Sequence, residues 1–176
     1  FPRPTTDAKL ISATKLAHDG CNLLATSNES VYGFGEIIVC DINLDIIQNK
    51  QLPDVDFESF ETGIRAIGKN MQPGALVLVE TTVPPGTCAR VVAPALGKEL
   101  SRRNEDPNSF LLAHSFERVM PGADYFDSIV NFWRVYAGHT PEAAKVCRNF
   151  LEKVVNTQDF PMTELASTTA SEITKV

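Results

Sequence analysis

The amino-acid sequence predicts an α/β domain built on a doubly wound parallel sheet. Short apolar runs alternate with amphipathic helical patterns along the chain, and no internal repeat or low-complexity tract interrupts them. Residues 36–41 and 75–80 are continuous runs rich in Val, Ile and Leu. Such runs are typical of strands buried on both faces of a parallel sheet, whereas half-exposed strands alternate apolar with polar residues.

The size and charge of the chain exclude several classes of function. Its 176 residues suit one domain, or one domain with part of a second, and 43% hydrophobic with 22% charged residues is a globular composition. A net charge of −6 argues against nucleic acid as a partner, because phosphate binding needs a basic surface. No apolar run approaches the ~18 residues of a membrane helix, so no membrane partner is expected. The chain begins at Phe1 without a signal segment and stops within a helical pattern, so we expect a cytoplasmic protein cut at both ends.

A helix and two strands are predicted at the start of the chain. Residues 7–19 form a helical pattern that Gly20 closes, because glycine commonly ends a helix. The apolar side of this helix consists of Leu10, Ile11 and Leu16. A short strand is predicted at residues 23–26, and a longer, buried strand at 36–41.

The middle of the chain contains two helices with a strand between them. Asp56 is predicted to cap a helix whose apolar residues recur at helical spacing. These apolar residues are Phe57, Phe60, Ile64, Ile67 and Met71. A Pro-Gly turn at residues 73–74 leads into the strand 75–80, and a second helix runs from about Thr87 to about Arg102.

The last third of the chain continues the alternation of strands and helices. Strands are predicted at residues 110–113 and 133–137. Thr140 as N-cap, with Pro141 in the first turn, begins the next helix. A final helical pattern starts near Ser167 and continues to the end of the chain.

The four cysteines predict neither a metal site nor a nucleophile. Cys21, Cys40, Cys88 and Cys147 lie far apart in sequence, without the spacing of a zinc site. Cys40 and Cys147 fall on apolar positions, as buried thiols of a reducing compartment do. Cys88 follows a Pro-Pro-Gly turn, and we expect it to be more exposed than these two.

Polar residues follow the predicted strands 36–41, 75–80 and 110–113, at the edge where a doubly wound sheet binds its ligands. The stretch Glu80-Thr81-Thr82-Val83-Pro84-Pro85-Gly86-Thr87 places two hydroxyls before a helix start. Hydroxyls and the N–H groups of a helix N-terminus suit an anionic or polyhydroxylated ligand, but an ordinary strand-to-helix turn with threonine caps fits equally well. Glu117-Arg118 after the next strand is either a structural ion pair or a base beside an anion anchor. His114 at the same strand end is expected to be a hydrogen-bonded structural histidine.

Three motifs together resemble the UDP-glucose/GDP-mannose dehydrogenase family. They are residues 77–87, residues 117–122 (Glu-Arg-Val-Met-Pro-Gly) and residues 170–176, which are similar to the family's AExxKLxEN helix. The resemblance implies an incomplete Rossmann-like sheet that lacks its first βαβ unit and the later domains. Residues 1–165 would then form a partial NAD-binding domain, and residues 166–176 the start of the family's central helix.

The resemblance also implies a reaction and the residues that perform it. Members of the family oxidise the C6 hydroxyl of a nucleotide sugar to the carboxylate in two hydride transfers to NAD. By motif, Thr82 would lie near the reacting centre and the cofactor, Glu117 would be the base for thioester hydrolysis, and Lys175 would stabilise the oxyanion at C6. Arg118 would bind the substrate, and Asn43, after the strand 36–41, would line the cofactor crevice. The form of the Glu-Arg-Val-Met-Pro-Gly motif favours a UDP-N-acetylhexosamine over UDP-glucose as the UDP-sugar substrate.

The sequence departs from the family pattern in its phosphate-binding turn and its nucleophile. No Gly-x-Gly-x-x-Gly follows a predicted strand, and the family's catalytic cysteine has no counterpart. We therefore expect the 176-residue polypeptide itself to be inactive, as one part of an enzyme that forms a homo-oligomer. The alternative is a non-catalytic α/β module that binds a nucleotide or serves as an assembly surface.

Overall fold

The computed structural model describes residues 5–47, 54–116, 119 and 122–175. These residues contain seven β-strands: β1 (Ile37–Cys40), β2 (Asp45–Ile47), β3 (Asp54–Asp56), β4 (Leu76–Val79), β5 (Leu111–His114), β6 (Val135–Gly138) and β7 (Thr163–Glu164). They also contain six α-helices: α1 (Ala8–Asp19), α2 (Glu58–Asn70), α3 (Ala93–Arg102), α4 (Tyr125–Val130), α5 (Pro141–Val154) and α6 (Thr168–Ile173). A 3₁₀ turn (Glu29–Phe34) precedes β1, and a π-helical segment (Cys88–Val92) leads directly into α3.

The main sheet has the strand order β1-β4-β5-β6-β7. β1, β4 and β5 are parallel, and Cys40, Val79 and His114 lie side by side at their carboxyl ends. The predicted α/β class with a mainly parallel sheet is therefore confirmed. β6 differs, because it pairs antiparallel with β5. β5 therefore ends and β6 begins at the same edge of the sheet, and α4 lies between them in sequence.

The core consists of two apolar layers, one on each face of the sheet. Val77 and Val79 of β4 pack with α2 and α3, whereas Leu76 and Leu78 face the opposite side and pack with α5. Successive side chains of a strand point to opposite faces, so a strand covered on both faces is apolar at every position. All four β4 side chains are completely buried. This explains why β4 reads as a continuous apolar run.

Side-chain caps begin the helices largely where the sequence predicts them. The Asp7 carboxylate accepts hydrogen bonds from Lys9 N and Leu10 N at 2.8 and 3.1 Å, and Thr140 Oγ1 accepts one from Ala143 N at 3.2 Å. At α2, Asp56 belongs to β3 and accepts a hydrogen bond from Glu58 N at 2.9 Å, so this capping side chain lies one residue before the N-cap Phe57. Four of the apolar residues predicted for this helix are buried: Phe60, Ile64 and Ile67 in α2, and Met71 at its C-cap.

Predictions at three places in the chain are wrong. Residues 23–26 are not a strand, and Leu23 and Leu24 are 57% and 83% exposed, because no strand among the described residues pairs with them. Leu16, on the predicted apolar side of α1, is also exposed. Cys88 is completely buried, contrary to the expected exposure, because the π-helical segment turns it into the core between the sheet and α3. Within the described ranges, no helix has both the length and the apolar character to cross a bilayer.

Candidate functional site at the carboxyl ends of the parallel strands

The carboxyl ends of β1 and β4 open into a cleft of about 370 Å³. Its lining residues are Asp41, Asn43, Leu44, Thr81 and Thr82. The parallel register creates this proximity, because Cys40 lies opposite Val79 and both strands end at the same edge. The predicted cofactor-binding residues Asn43 and Thr82, 39 positions apart in sequence, therefore share one cleft.

The two threonines after β4 have different surroundings. Thr81 is buried, and its hydroxyl donates to the Cys40 backbone carbonyl at 3.4 Å. The backbone N–H of Glu80 donates to the same carbonyl at 3.0 Å. Thr81 therefore completes the pairing of β4 with β1, whereas Thr82 is exposed and lines the cleft.

A buried ion pair fixes the exit of β4 on its other side. Arg134 Nη1 lies 2.7 Å from Glu80 Oε1, and the side chains are only 5% and 16% exposed. The pair joins the residue after β4 to the residue before β6. Sequence reasoning missed this pair, because Arg134 lies within a predicted strand and nothing in the sequence indicates its partner.

The Pro-Pro-Gly turn after β4 reverses the chain sharply into a helix. Gly86 has φ +88°, a left-handed conformation that favours glycine, and a Cβ there would clash with the Arg90 guanidinium. Thr87 Oγ1 donates to the Pro84 carbonyl at 2.6 Å, which closes the turn. The π-helical segment that follows is a geometry often found at functional sites.

The anion at the N-terminus of this helix is an internal carboxylate. Glu172 of α6 accepts hydrogen bonds from the backbone N–H of Gly86 and, at 2.8 Å, from that of Cys88. The side chain is 1% exposed. These two N–H groups were predicted to suit an anionic ligand, but Glu172 already occupies them. Burial, reinforced by the nearby Glu172 carboxylate, raises the pKa of the Cys88 thiol well above its ordinary value, so this cysteine is a poor nucleophile.

His114 joins the end of β5 to α6. Its ring is completely buried, and Nδ1 lies 2.8 Å from Ser171 Oγ. Burial lowers the pKa of His114, although Glu172 and the Thr81 backbone oppose this effect. Within the part of the chain that the structure describes, Nε2 has no hydrogen-bond partner. The expectation of a hydrogen-bonded structural histidine is thus met at Nδ1 and not at Nε2.

The other predicted site residues follow β5 or α6. Lys175 Nζ lies 5.4 Å from the centroid of the Phe116 ring, two residues beyond the end of β5. A lysine ammonium group in this position is attracted by the electron-rich face of the ring. Glu117 and Arg118, predicted as base and substrate ligand, lie outside the described residues. The structure therefore places Asn43 with Thr82 in the cleft, and Lys175 against the segment that follows the neighbouring strand.

Several characterised proteins resemble this chain. It is 32% identical to UDP-N-acetyl-D-mannosamine dehydrogenase of Pyrococcus horikoshii over 123 residues, which are 70% of this chain and 28% of that protein. It is 33% identical over 91 residues to UDP-N-acetyl-D-glucosamine 6-dehydrogenase of Pseudomonas aeruginosa, covering 51% of this chain and 21% of that protein. The crystal structure of NDP-N-acetyl-D-galactosaminuronic acid dehydrogenase from Methanosarcina mazei Go1 superposes with a TM-score of 0.73 at 28% identity, over 84% of this chain and 30% of that one.

The chain thus spans about a quarter of the length of the curated relatives that it matches. A sequence profile described as the UDP-glucose/GDP-mannose dehydrogenase family, NAD binding domain, matches residues 4–155. This match covers strands β1 to β6, the cleft and the Pro-Pro-Gly turn, and it ends before β7. Residues 4–155 thus match this family's NAD-binding domain, and the chain belongs to the UDP-glucose/GDP-mannose dehydrogenase family.

Proposed function

We propose that this chain is part of an NAD-dependent nucleotide-sugar 6-dehydrogenase, which oxidises the C6 hydroxyl of a UDP-sugar to the carboxylate in two hydride transfers. The observation that carries the proposal is the cleft between β1 and β4, where Asn43 and Thr82 meet within the family's NAD-binding domain. Ligands of doubly wound sheets bind beyond the carboxyl ends of the strands, which is where this cleft opens.

The residues of the cleft fit one part of the cofactor. An exposed hydroxyl, an amide and the carboxylate of Asp41 can hydrogen-bond ribose hydroxyls or a carboxamide. The volume of about 370 Å³ lies at the lower end of the ~300–1,000 Å³ of ligand pockets, so the cleft suits part of a dinucleotide. NAD, when bound, supplies the hydride acceptor. Asn43 and Thr82 would bind and orient it, and Thr82 would also position a water or the substrate.

Lys175, Glu117 and Arg118 would act on the sugar. The Lys175 ammonium group would stabilise the negative charge that develops on the oxygen at C6, because a preorganised cation is effective where charge forms. Glu117 would act as the base in the final hydrolysis, and Arg118 would bind the substrate. The position of Lys175 over the Phe116 ring supports its part of this scheme, because it holds the cation at the end of β5.

A UDP-N-acetylhexosamine is the proposed substrate class. One curated relative is named for UDP-N-acetyl-D-mannosamine and the other for UDP-N-acetyl-D-glucosamine. The Glu-Arg-Val-Met-Pro-Gly motif at residues 117–122 points to the same branch. We further propose that the enzyme acts in the cytoplasm as a homo-oligomer, and that the 176-residue polypeptide alone is inactive because it has no glycine-rich phosphate turn.

The test measures NADH formation by the protein from its natural source, after its intact mass has been determined. UDP-N-acetylglucosamine, UDP-N-acetylmannosamine and UDP-glucose are compared as substrates. We expect NADH with an N-acetylhexosamine, and a loss of about 10²-fold or more in turnover for Lys175→Ala. Lys98→Ala, which removes an exposed lysine of α3, is the matched control. No NADH with any of the three sugars, or equal turnover in the two lysine variants, would refute the proposal.

A further inference from the structure

The buried carboxylate of Glu172 has no part in the roles proposed above. It lies on α6, three residues before Lys175, and its hydrogen-bond donors lie in the turn after β4 that also carries Thr82. We infer that Glu172 is a positioning residue, which fixes α6 against the turn that carries Thr82 and thereby sets the position of the Lys175 side chain over the Phe116 ring. Its importance for the reaction rests on the proposed function, since Thr82 and Lys175 have their roles there.

The hydrogen bonds of Glu172 join two distant segments of the chain. Its two carboxylate oxygens bind different N–H groups, those of Gly86 and Cys88, which are 86 and 84 residues away in sequence. A carboxylate at a helix N-terminus interacts favourably with the helix dipole as well as with the N–H groups. With only 1% of the residue exposed, water does not compete for these bonds. Glu172 therefore joins α6 to the turn after β4 through two separate hydrogen bonds, which together define one orientation of the carboxylate.

The neighbouring residue holds α6 at a second point. Ser171 Oγ lies 2.8 Å from His114 Nδ1, and Ser171 is completely buried. Successive residues of α6 thus bind the turn after β4 and the end of β5. Two attachments to different strands prevent α6 from rotating about either one.

This fixed orientation extends to Lys175. The Lys175 backbone N–H donates to the Glu172 carbonyl at 3.4 Å, so Lys175 continues the helical turn. Residues three apart in a helical turn lie on the same side. Glu172 therefore points to the turn after β4, while Lys175, on the same side, reaches the Phe116 ring beyond β5. A displaced Glu172 would move the Lys175 ammonium group away from that ring.

The experiment uses NMR of the isotope-labelled 176-residue chain, with the variant Glu172→Gln. Glutamine loses the charge and one acceptor oxygen, so one N–H of the turn loses its partner. We expect amide hydrogen exchange at Gly86 or Cys88 to accelerate about tenfold or more, because hydrogen bonds to a charged group are the stronger ones. We also expect the Lys175 side-chain signals to lose the shift that the Phe116 ring current causes.

Glu99→Gln is the matched control, because Glu99 is also buried but its bond to Arg102 lies within its own helix. We expect it to leave the Lys175 and Gly86 signals unchanged. Unchanged Lys175 signals in folded Glu172→Gln would overturn the inference, since they would show that Glu172 serves stability alone. An equal loss of the shift in Glu99→Gln would also overturn it.

If Glu172→Gln does not fold, Glu172→Asp replaces it, because aspartate keeps the charge with a shorter reach. A folded Asp variant with unmoved Lys175 signals would likewise overturn the inference. These measurements need neither NAD nor a sugar. A failure of the NADH assay would therefore refute the proposed function without changing them, and the two failures are distinguishable.

Discussion

The buried imidazole of His114 predicts that the stability of the protein falls in mildly acidic solution. The ring is completely buried, and this burial lowers its pKa below the ordinary value of 6.5. Glu172 and the Thr81 backbone oppose the shift, and Lys175 adds to it, but burial is the largest cause. The folded protein therefore binds a proton at His114 less readily than the unfolded chain does.

The sign and size of the effect follow from this difference. Above pH 6.5 both states are neutral at His114, and the group contributes no pH dependence. As the pH falls below that value, the unfolded chain takes up a proton that the folded protein does not. The free energy of unfolding then decreases by up to about 1.4 kcal/mol per pH unit, until the pKa of the folded state is reached.

Urea denaturation at a series of pH values measures this slope. His114→Gln removes the titrating group and keeps a polar partner for Ser171, so we expect a shallower slope just below pH 6.5. A constant loss of stability in the variant does not affect the comparison of slopes. His18→Gln, which removes an exposed imidazole from α1, is the matched control. Equal slopes in the wild type and His114→Gln would refute the reasoning.

Three further predictions concern the core, the buried ion pair and the thiols. Phe60→Ala should cost about 3–5 kcal/mol of unfolding free energy, whereas Leu16→Ala at a 71% exposed position should stay within about 0.5 kcal/mol; urea titration compares them. Glu80→Ala should cost about 3–5 kcal/mol of unfolding free energy, because it leaves the buried Arg134 guanidinium without its carboxylate partner. Glu61→Ala, which removes an exposed ion pair, should cost about 0.5 kcal/mol, and equal losses in the two variants would contradict this prediction. Iodoacetamide should modify only Cys21 in the native protein, since burial raises the pKa of Cys40 to about 11, that of Cys147 to about 12 and that of Cys88 well above its ordinary value. Mass spectrometry of the protein treated before and after denaturation tests this prediction.

Much of the fold follows from local patterns that the sequence displays directly. β4 is apolar at every position because both of its faces are covered, and Thr140 caps α5 because a hydroxyl in that place can accept from Ala143 N. The apolar spacing of α2 likewise predicts its buried side. These features depend on residues close together in sequence.

The missed features depend on partners far away in sequence. The direction of β6 is set by the path that the chain takes after β5, and residues 23–26 have strand-like composition without a neighbouring strand in the described residues. The antiparallel pair of β2 and β3 is an exception, since its strands are close in sequence, and it was also not predicted.

The candidate site divides in the same way. The strand ends predict that Asn43 and Thr82 lie near each other, and the cleft has both in its lining; their roles remain predictions. The partners of Glu172 and Arg134 could not be predicted, because each binds groups more than fifty residues away. A glutamate within a helical motif gives no sign that it is the capping carboxylate of another helix.

The central claim is that the cleft at Asn43 and Thr82 serves the NAD-dependent oxidation of a UDP-N-acetylhexosamine. The most direct measurement is NADH formation by the protein from its natural source, for the wild type, Thr82→Val and Thr82→Ser. The account predicts two NADH per sugar, a loss of about 10²-fold in turnover when valine removes the hydroxyl, and recovery when serine restores it. Turnover of Thr82→Val equal to that of the wild type, or no NADH from any UDP-sugar, would contradict it.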